Sequence, residues 1–355
     1  MQFDHCKLAT LEDKIKAEAI RLGFNLCGFT TPESPIRYER FEQWLSKGQH
    51  AGMVYLESPR HRMMRQYPSQ LVPDVKTIIS LAWPYFLNRK SDDKSSNEAL
   101  IAGYVADVDY HHLLITKLDQ LINFIQLELN QKINAQSFTD SAPILEREIA
   151  SRAGLGWIGK NACLINPSIG SAFLLAELFI DIPLQPDQAF SHDRCGTCHR
   201  CVDACPTGCI QDDRTIDSSR CISYLTIENK GNIPDHLRLA IGKWLFGCDV
   251  CQTVCPWNRI NQDSQSSSLN QTWTVEEVQT LLTFSSEEFS SRYKTTALFR
   301  SKLKGIQRNA LTWLGNNGNE AHSKIIETFL QKAEDPDLLD TAHWSLRNIT
   351  NGIDK

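Results

Sequence analysis

The stretch Cys195-Gly-Thr-Cys198-His-Arg-Cys201-Val-Asp-Ala-Cys205-Pro206 decides how this chain is built, because it spaces four thiols as C-x2-C-x2-C-x3-C-P. A second stretch, Cys248-Asp-Val-Cys251-Gln-Thr-Val-Cys255-Pro256, repeats the short spacers, and Cys221 lies between the two. Such spacers let three sulfurs converge on one iron–sulfur cube while the fourth crosses to another, and the proline turns the chain away. The expected ligand sets are Cys195, Cys198 and Cys201 with Cys255, and Cys248 and Cys251 with Cys205 plus one more, Cys221 or Cys209. Structural zinc is the plain alternative, but zinc ribbons use isolated C-x2-C pairs and need no third cysteine two residues on. The spacing therefore predicts two [4Fe–4S] clusters and a protein that moves electrons.

The chain has 355 residues, enough for two or three cored domains, with 41% apolar and 22% charged residues. No run of eighteen apolar residues occurs, so no membrane span is expected. The first residues lack the charged-then-apolar layout of a signal peptide. Twelve cysteines in a secreted protein would suggest disulfides, but iron–sulfur spacing without a signal points to a reducing cytoplasm. A net charge of −5 gives no global attraction to a polyanion, so any nucleic-acid site must be a local patch.

Apolar positions at Leu11, Ile15, Ala19 and Leu22 have helical period and stop at Gly23. A short strand at 25–30 follows, and 75–85 is an apolar, β-rich run expected to be the central strand. Residues 91–98 are expected to form a polar loop. Leu114, Leu118, Leu121, Ile125 and Leu129 define one face of a helix over 111–129. A shorter helix at 145–153 and a strand at 171–180 complete an alternating α/β region. The expected boundaries are 1–188 for this region, 189–262 for the cluster module and 272–355 for an all-helical tail, after a Ser/Gln/Asn-rich linker at 263–271. Amphipathic stretches at 309–314, 321–333 and 338–349 suggest HEAT-type pairs.

Several segments outside the cysteines carry a resemblance. They are Phe138-Thr-Asp140-Ser-Ala-Pro-Ile-Leu-Glu146-Arg147, Ala153-Gly-Leu-Gly-Trp-Ile-Gly-Lys160-Asn161, Arg220-Cys-Ile-Ser-Tyr-Leu-Thr226, Gly247 to Pro256, and Gln307-Arg-Asn309. Over about residues 10–320 the chain resembles the epoxyqueuosine reductases. That resemblance implies an α+β multidomain protein: a nitroreductase-like α/β domain for base-off cobalamin, a bacterial-ferredoxin-like two-cluster module and a HEAT-like tail. It also implies Cys221, not Cys209, as the fourth ligand of the second cluster. Spacing alone does not show cobalamin. The D-x-H-x-x-G signature of His-ligated binders is absent, since Asp109-Tyr-His111 runs into His112-Leu-Leu, and a flavin would suit the residues equally.

Asp140 is the candidate acid, because an alkoxide leaving an epoxide needs a proton donor. Its bland reading is a helix N-cap beside Thr139 and Ser141; the resemblance favours the proton donor. Gly154, Gly156 and Gly159 give a weak G-x-G-x-x-G without the βαβ context of a dinucleotide site. The resemblance recasts them as backbone against the corrin, with Gly159 closest, and adds Arg65, Leu164, Leu175, Ser223, Cys248 and Asp249 as cobalamin neighbours. Taken singly, the leucines read as core and Arg65 as a solvated charge. The segment 292–308 holds Arg292, Lys294, Arg300, Lys302, Lys304 and Arg308 with no acidic residue, an electropositive patch suited to phosphates. With Asn309 and Lys230 it forms the expected tRNA surface. Cys6, Cys27 and Cys163 read as ordinary buried thiols.

The reaction implied is a two-electron reduction of epoxyqueuosine to queuosine at the wobble position of tRNA. An external donor would reduce the clusters, these would generate cob(I)alamin, and Asp140 would supply the proton; a monomer is expected. The flipped base is expected in a pocket between the domains. Two rivals stand beside it. A reductive dehalogenase would use the same cofactors but has no need of the basic segment. A ferredoxin-type electron-transfer subunit would leave the long α/β region without a role.

Overall fold

The computed structural model describes residues 9–87, 97–105, 109–259 and 272–351. Most of the 91–98 stretch, the 263–271 linker and Cys6 lie outside the described residues. Helix α1 (Leu11–Leu22) starts in a capping box, where Thr10 and Asp13 satisfy each other's backbone N–H groups. It ends at Gly23, whose φ of 107° is the left-handed turn that glycine enters freely. Strand β1 (Leu26–Thr30), helices α2 (Tyr38–Ser46) and α3 (Pro59–Gln66), and strand β2 (Thr77–Pro84) follow. Strand β2 is central as expected: Thr77 to Ala82 are all buried, and it pairs with β1 on one side.

Beyond the short strand β3 (Ala99–Ile101), helix α4 (Tyr110–Leu129) lays Leu114, Leu118, Leu121 and Ile125 on the sheet, each fully buried. Four such side chains contribute about 1.5–3 kcal/mol apiece. They share a core with Ile15 and Ala19 of α1. Strand β4 (Ala135–Phe138), helix α5 (Glu146–Arg152), the hairpin β5 (Trp157–Ile158) and β6 (Leu164–Ile165), and strand β7 (Phe173–Ile180) complete this part. The sheet order is β1-β2-β7-β4, and every pairing is antiparallel. Strands and helices thus alternate in sequence without forming parallel βαβ units, so the fold is α+β. The face opposite α1 and α4 carries α5 and the β5–β6 hairpin.

The cysteine module is mostly loop, with the short helices α6 (Arg200–Asp203), α7 (Ile222–Ile227) and α8 (Asp235–Ile241), strand β8 (Trp244–Phe246), and helix α9 (Val250–Thr253). The tail opens with strand β9 (Thr272–Trp273), which corrects the all-helical expectation, before α10 (Val275–Leu281), α11 (Ser286–Tyr293), α12 (Lys302–Asn317), α13 (Ser323–Leu330) and α14 (Pro336–Thr350). A second sheet has the order β8-β3-β9 and draws one strand from each region. One core accordingly joins Ala99 and Ile101, Leu245 and Phe246, and Val278, Trp313 and Leu314.

Candidate active site

The loops bring the sulfurs into two neighbourhoods. Cys201 lies among Cys195, Cys198 and Cys255, and burial together with those thiols pushes it up to about 11. Cys248 faces Cys221 and Cys205. Cys251 faces Cys163, Cys248 and Cys221. Both candidates for the last ligand are near: Cys209 Sγ is 3.5 Å from Cys205 Sγ and also bonds Cys221. Among the described residues no three Cys, His, Asp or Glu side chains form a group suited to a single metal ion, whereas a cubane is held by four separate thiolates. Cys163, expected to be an ordinary buried thiol, instead contacts Cys251 and lines a cavity. Cys27 is an inert thiol, pushed up to about 12 by burial.

The Gly156–Asn161 motif clasps these loops. Lys160 Nζ donates to Gly196 O and Cys198 O, each at 2.9 Å. The Trp157 indole N–H reaches Cys195 Sγ at 3.5 Å, and Asn161 donates to Cys251 O at 3.3 Å. Gly159 is required here by packing, since a Cβ would sit 2.5 Å from Ile165 Cδ1 and 2.9 Å from Asn161 Oδ1. Sequence reasoning gave the three polar residues no role; hydrogen-bonding side chains set among glycines were the signal.

Asp140 stands where β4 leaves the sheet. Buried Thr139 donates its hydroxyl to Leu175 O at 2.8 Å and pins the chain. The next residue then takes φ 55°, a left-handed conformation costing a non-glycine residue about 1–2 kcal/mol. The N–H of Asp140 donates to Glu146 Oε1 at 2.6 Å. The Tyr110 hydroxyl donates to Asp140 Oδ2 at 2.9 Å, and His111 Nε2 lies 3.7 Å from the same oxygen. Asp140 caps no helix: α5 begins at Glu146, and its N-cap position is Leu145, with no side-chain cap bond. The carboxylate is enclosed by several elements yet 65% accessible, because it opens onto a cavity.

The His111 imidazole nearby holds the Asp140 carboxyl below the usual range against the effect of burial, and the Tyr110 hydroxyl adds to it. The same proximity raises His111, with help from Asp109. Burial and the nearby Asp140 charge push Glu146 up to about 8, and burial lifts Glu177, next to Glu146, well above the carboxylate range. The Asp140 carboxylate is thus ringed by groups whose proton affinity is raised. Sequence reading missed Tyr110, His111, Glu146 and Glu177 as members of this group.

Two cavities meet at Asp140, Glu146 and Arg147. One, of about 430 Å³, is bordered by Arg65, Tyr55, Arg37 and Arg214. The other, of about 320 Å³, is walled by Leu164, Phe173, Leu174 and Leu175 and reaches Cys163 and Gln252. Arg65 is 7% exposed, bonded to His61 O at 3.4 Å and laid on the Phe41 ring, so it is not a solvated charge. Ser223, Cys248, Asp249 and Gly159 line neither cavity. The backbone N–H of Ser223 instead points at Cys221, and Asp249 Oδ2 accepts from Gly103 N at 2.7 Å.

The basic segment divides. Arg308 is 1% exposed and donates to Leu225 O, Asn229 O and Gly231 O at 2.6–2.7 Å. Asn309 is equally buried, donating to Thr226 O and Leu245 O. These two therefore do not belong to an exposed patch, which corrects that expectation: converging carbonyls of the 225–231 turn take the charge inside. Lys304 pairs with Asp335 and Asp337, and Arg300 with Glu228 at 2.6 Å. Lys230 donates to Arg300 O. The Arg300 charge is felt at Asp140 and at Tyr55, so this rim borders the Asp140 cleft. No helix among the described residues is long and apolar enough to cross a membrane.

Residues 194–258 match the family model described as "4Fe-4S double cluster binding domain", and residues 65–141 match "Epoxyqueuosine reductase QueG, DUF1730". A Cyclobacterium marinum protein named epoxyqueuosine reductase is 41% identical over 300 residues, covering 83% of this chain and 94% of its own length. The Bacillus subtilis epoxyqueuosine reductase, solved with a catalytic aspartate loop swung out of the active site, is 30% identical with a TM-score of 0.84, over 96% of this chain and 90% of that one. A crystal structure of epoxyqueuosine reductase with an epoxyqueuosine-modified tRNA-Tyr stem loop has a TM-score of 0.80 at 28% identity, over 96% and 99%.

Proposed function

The chain belongs to the epoxyqueuosine reductase family, and from that premise we propose that it reduces epoxyqueuosine to queuosine at the wobble position of tRNA, using two [4Fe–4S] clusters and cobalamin. The observation that carries this reading is the placement of Asp140. A strained carboxylate lies where two cavities meet, with the second sulfur neighbourhood behind one and the Arg300 rim beside it. Membership of the family does not favour a dehalogenase or a simple electron carrier.

The residues present suit a flat macrocycle with a polar rim. Leu164, Leu174, Leu175 and Phe173 offer an apolar wall, and the buried Arg65 faces the adjoining cavity. Arg65, Leu164 and Leu175 would hold the cofactor. Cobalamin, when bound, supplies a low-potential cobalt centre that electrons from the clusters can reach. Asp140 gives a proton to the substrate oxygen, which leaves as water, and an alkene remains. Lys230 and Arg300 meet the tRNA backbone, with Lys302 and Lys294 further along the segment. In this reading the first region is nitroreductase-like and the paired tail helices are HEAT-like. Electrons enter from a separate donor.

The test is anaerobic turnover of an anticodon stem-loop carrying epoxyqueuosine, with cobalamin and a chemical reductant supplied. Mass spectrometry of the nucleosides should show loss of one oxygen. Iron-loaded, cobalamin-bound protein that leaves the nucleoside unchanged would refute the assignment.

A further inference from the structure

Turning an epoxide into an alkene and water consumes two electrons and two protons, because the oxygen leaves carrying both hydrogens. Asp140 rests as a carboxylate and can carry only one proton at a time, and a site filled by substrate and cofactor admits little water to load it. A second donor must therefore stand within reach of Asp140 and be open to solvent on its other side.

His111 has that position. It occupies the first turn of α4, where Asp109 caps the helix by accepting from the His111 N–H at 3.0 Å. The same Asp109 oxygen lies 2.6 Å from His111 Nδ1, which fixes the ring and aims Nε2 at Asp140 Oδ2, 3.7 Å away. Tyr110 stacks on the imidazole with ring centres 4.2 Å apart, while its hydroxyl grips the same Asp140 oxygen. The imidazole is 38% accessible. We propose that His111 loads Asp140 for each of the two proton transfers, so that the pair delivers both protons of the reaction.

For the first transfer the His111 Nε2–H bond breaks as an Asp140 O–H bond forms, and that O–H bond breaks in turn as the substrate oxygen becomes a hydroxyl. Neutral His111 regains a proton from solvent, the same relay reloads Asp140, and the second transfer releases water. The 3.7 Å gap closes by side-chain rotation, as catalytic hydrogen bonds often tighten only in the substrate complex. His111 acts through Asp140 and is a positioning and proton-supplying residue. Its raised proton affinity agrees with this role. The groups facing it are Asp109 and Tyr110 on its own helix and Asp140 opposite. Tyr104, Glu146 and Arg300 act one step further away, on Asp140 and Tyr110. Glu146 is a weaker candidate, since it meets the Asp140 backbone N–H rather than its carboxyl.

The inference rests on the proposed role of Asp140, and the test separates the two. The pH profile of kcat is measured on the epoxyqueuosine stem-loop for wild type, His111→Gln, Asp109→Asn and Asp140→Asn. Wild type should lose rate as pH rises through the raised His111 pKa, because the proton is present below it and absent above. His111→Gln should abolish that limb and lower kcat about 100-fold near neutrality, with KM and iron content unchanged, and added imidazole should restore rate in proportion to its concentration. Asp109→Asn keeps the helix cap but removes the charge, so the limb should move to lower pH. A His111→Gln enzyme with the wild-type rate and limb overturns the proposal and leaves the family activity standing. A fully active Asp140→Asn enzyme overturns both the acid assignment and this inference.

Discussion

Replacing Arg308 with methionine separates a buried clamp from a phosphate contact. Methionine keeps the aliphatic stem but withdraws the guanidinium from Leu225 O, Asn229 O and Gly231 O, which Arg308 bonds at 2.6, 2.7 and 2.7 Å. A buried carbonyl left without a donor costs about 1–3 kcal/mol. Three neighbouring losses are not additive, and relief of a desolvated cation offsets part of them. Burial already pushes Arg308 down to about 10, which marks that desolvation. A net loss of about 3 kcal/mol is expected. At about 2–4 °C per kcal/mol this lowers the melting temperature by about 6–12 °C. The assay is anaerobic thermal unfolding at one scan rate, paired with stem-loop affinity measured well below the transition across a salt series. Affinity and salt slope should match wild type. An unchanged melting temperature with a salt slope reduced by about one unit would put Arg308 on a phosphate and refute the buried clamp.

Asp140→Asn should lower turnover by about 10²–10⁴ while iron content and melting temperature hold, because the side chain is largely open to the cavity; a full rate would remove Asp140 from the chemistry. Purified anaerobically, the protein should carry about eight irons. Cys221→Ser should lose about half of them and Cys209→Ser none, and the reverse result would make Cys209 the ligand. Arg300→Glu should weaken stem-loop binding and reduce its salt slope by about one unit, whereas Lys304→Glu, at a lysine already paired with two aspartates, should change the slope less. Equal slopes for wild type and Arg300→Glu would move the RNA away from this rim.

The cysteine frame was legible because cluster geometry demands local spacing, and the spacing from Cys195 to Cys255 needs no tertiary information to be read. Helices α1 and α4 and the central strand were legible from periodicity, since each buries one face or two against a single sheet. The Asp140 cluster was only half visible. Its partners Tyr110 and His111 come from a helix start thirty residues earlier, and nothing local to either segment marks their meeting. Glu177 was hidden inside an apolar strand as a fully buried carboxyl that faces Ser80 and Glu146. The basic segment misled because charge count carries no direction. Whether an arginine faces solvent or three carbonyls depends on the 225–231 turn, which sequence alone does not place.

The sheet β8-β3-β9 has a consequence for the order in which the protein is made. Strand β8 leads directly into Cys248, and its neighbour β3 is itself covered by β9 from the tail. The wall behind them is built from Trp313, Leu314 and Ala342, far downstream of the last cysteine. A growing chain that has just released Cys255 from the ribosome has every thiol but lacks the strand and helices that steady β8. Its sulfurs are complete in number before they are complete in place. Iron delivered at that stage meets loops without their backing, so the cluster scaffold matures only when the end of the chain arrives.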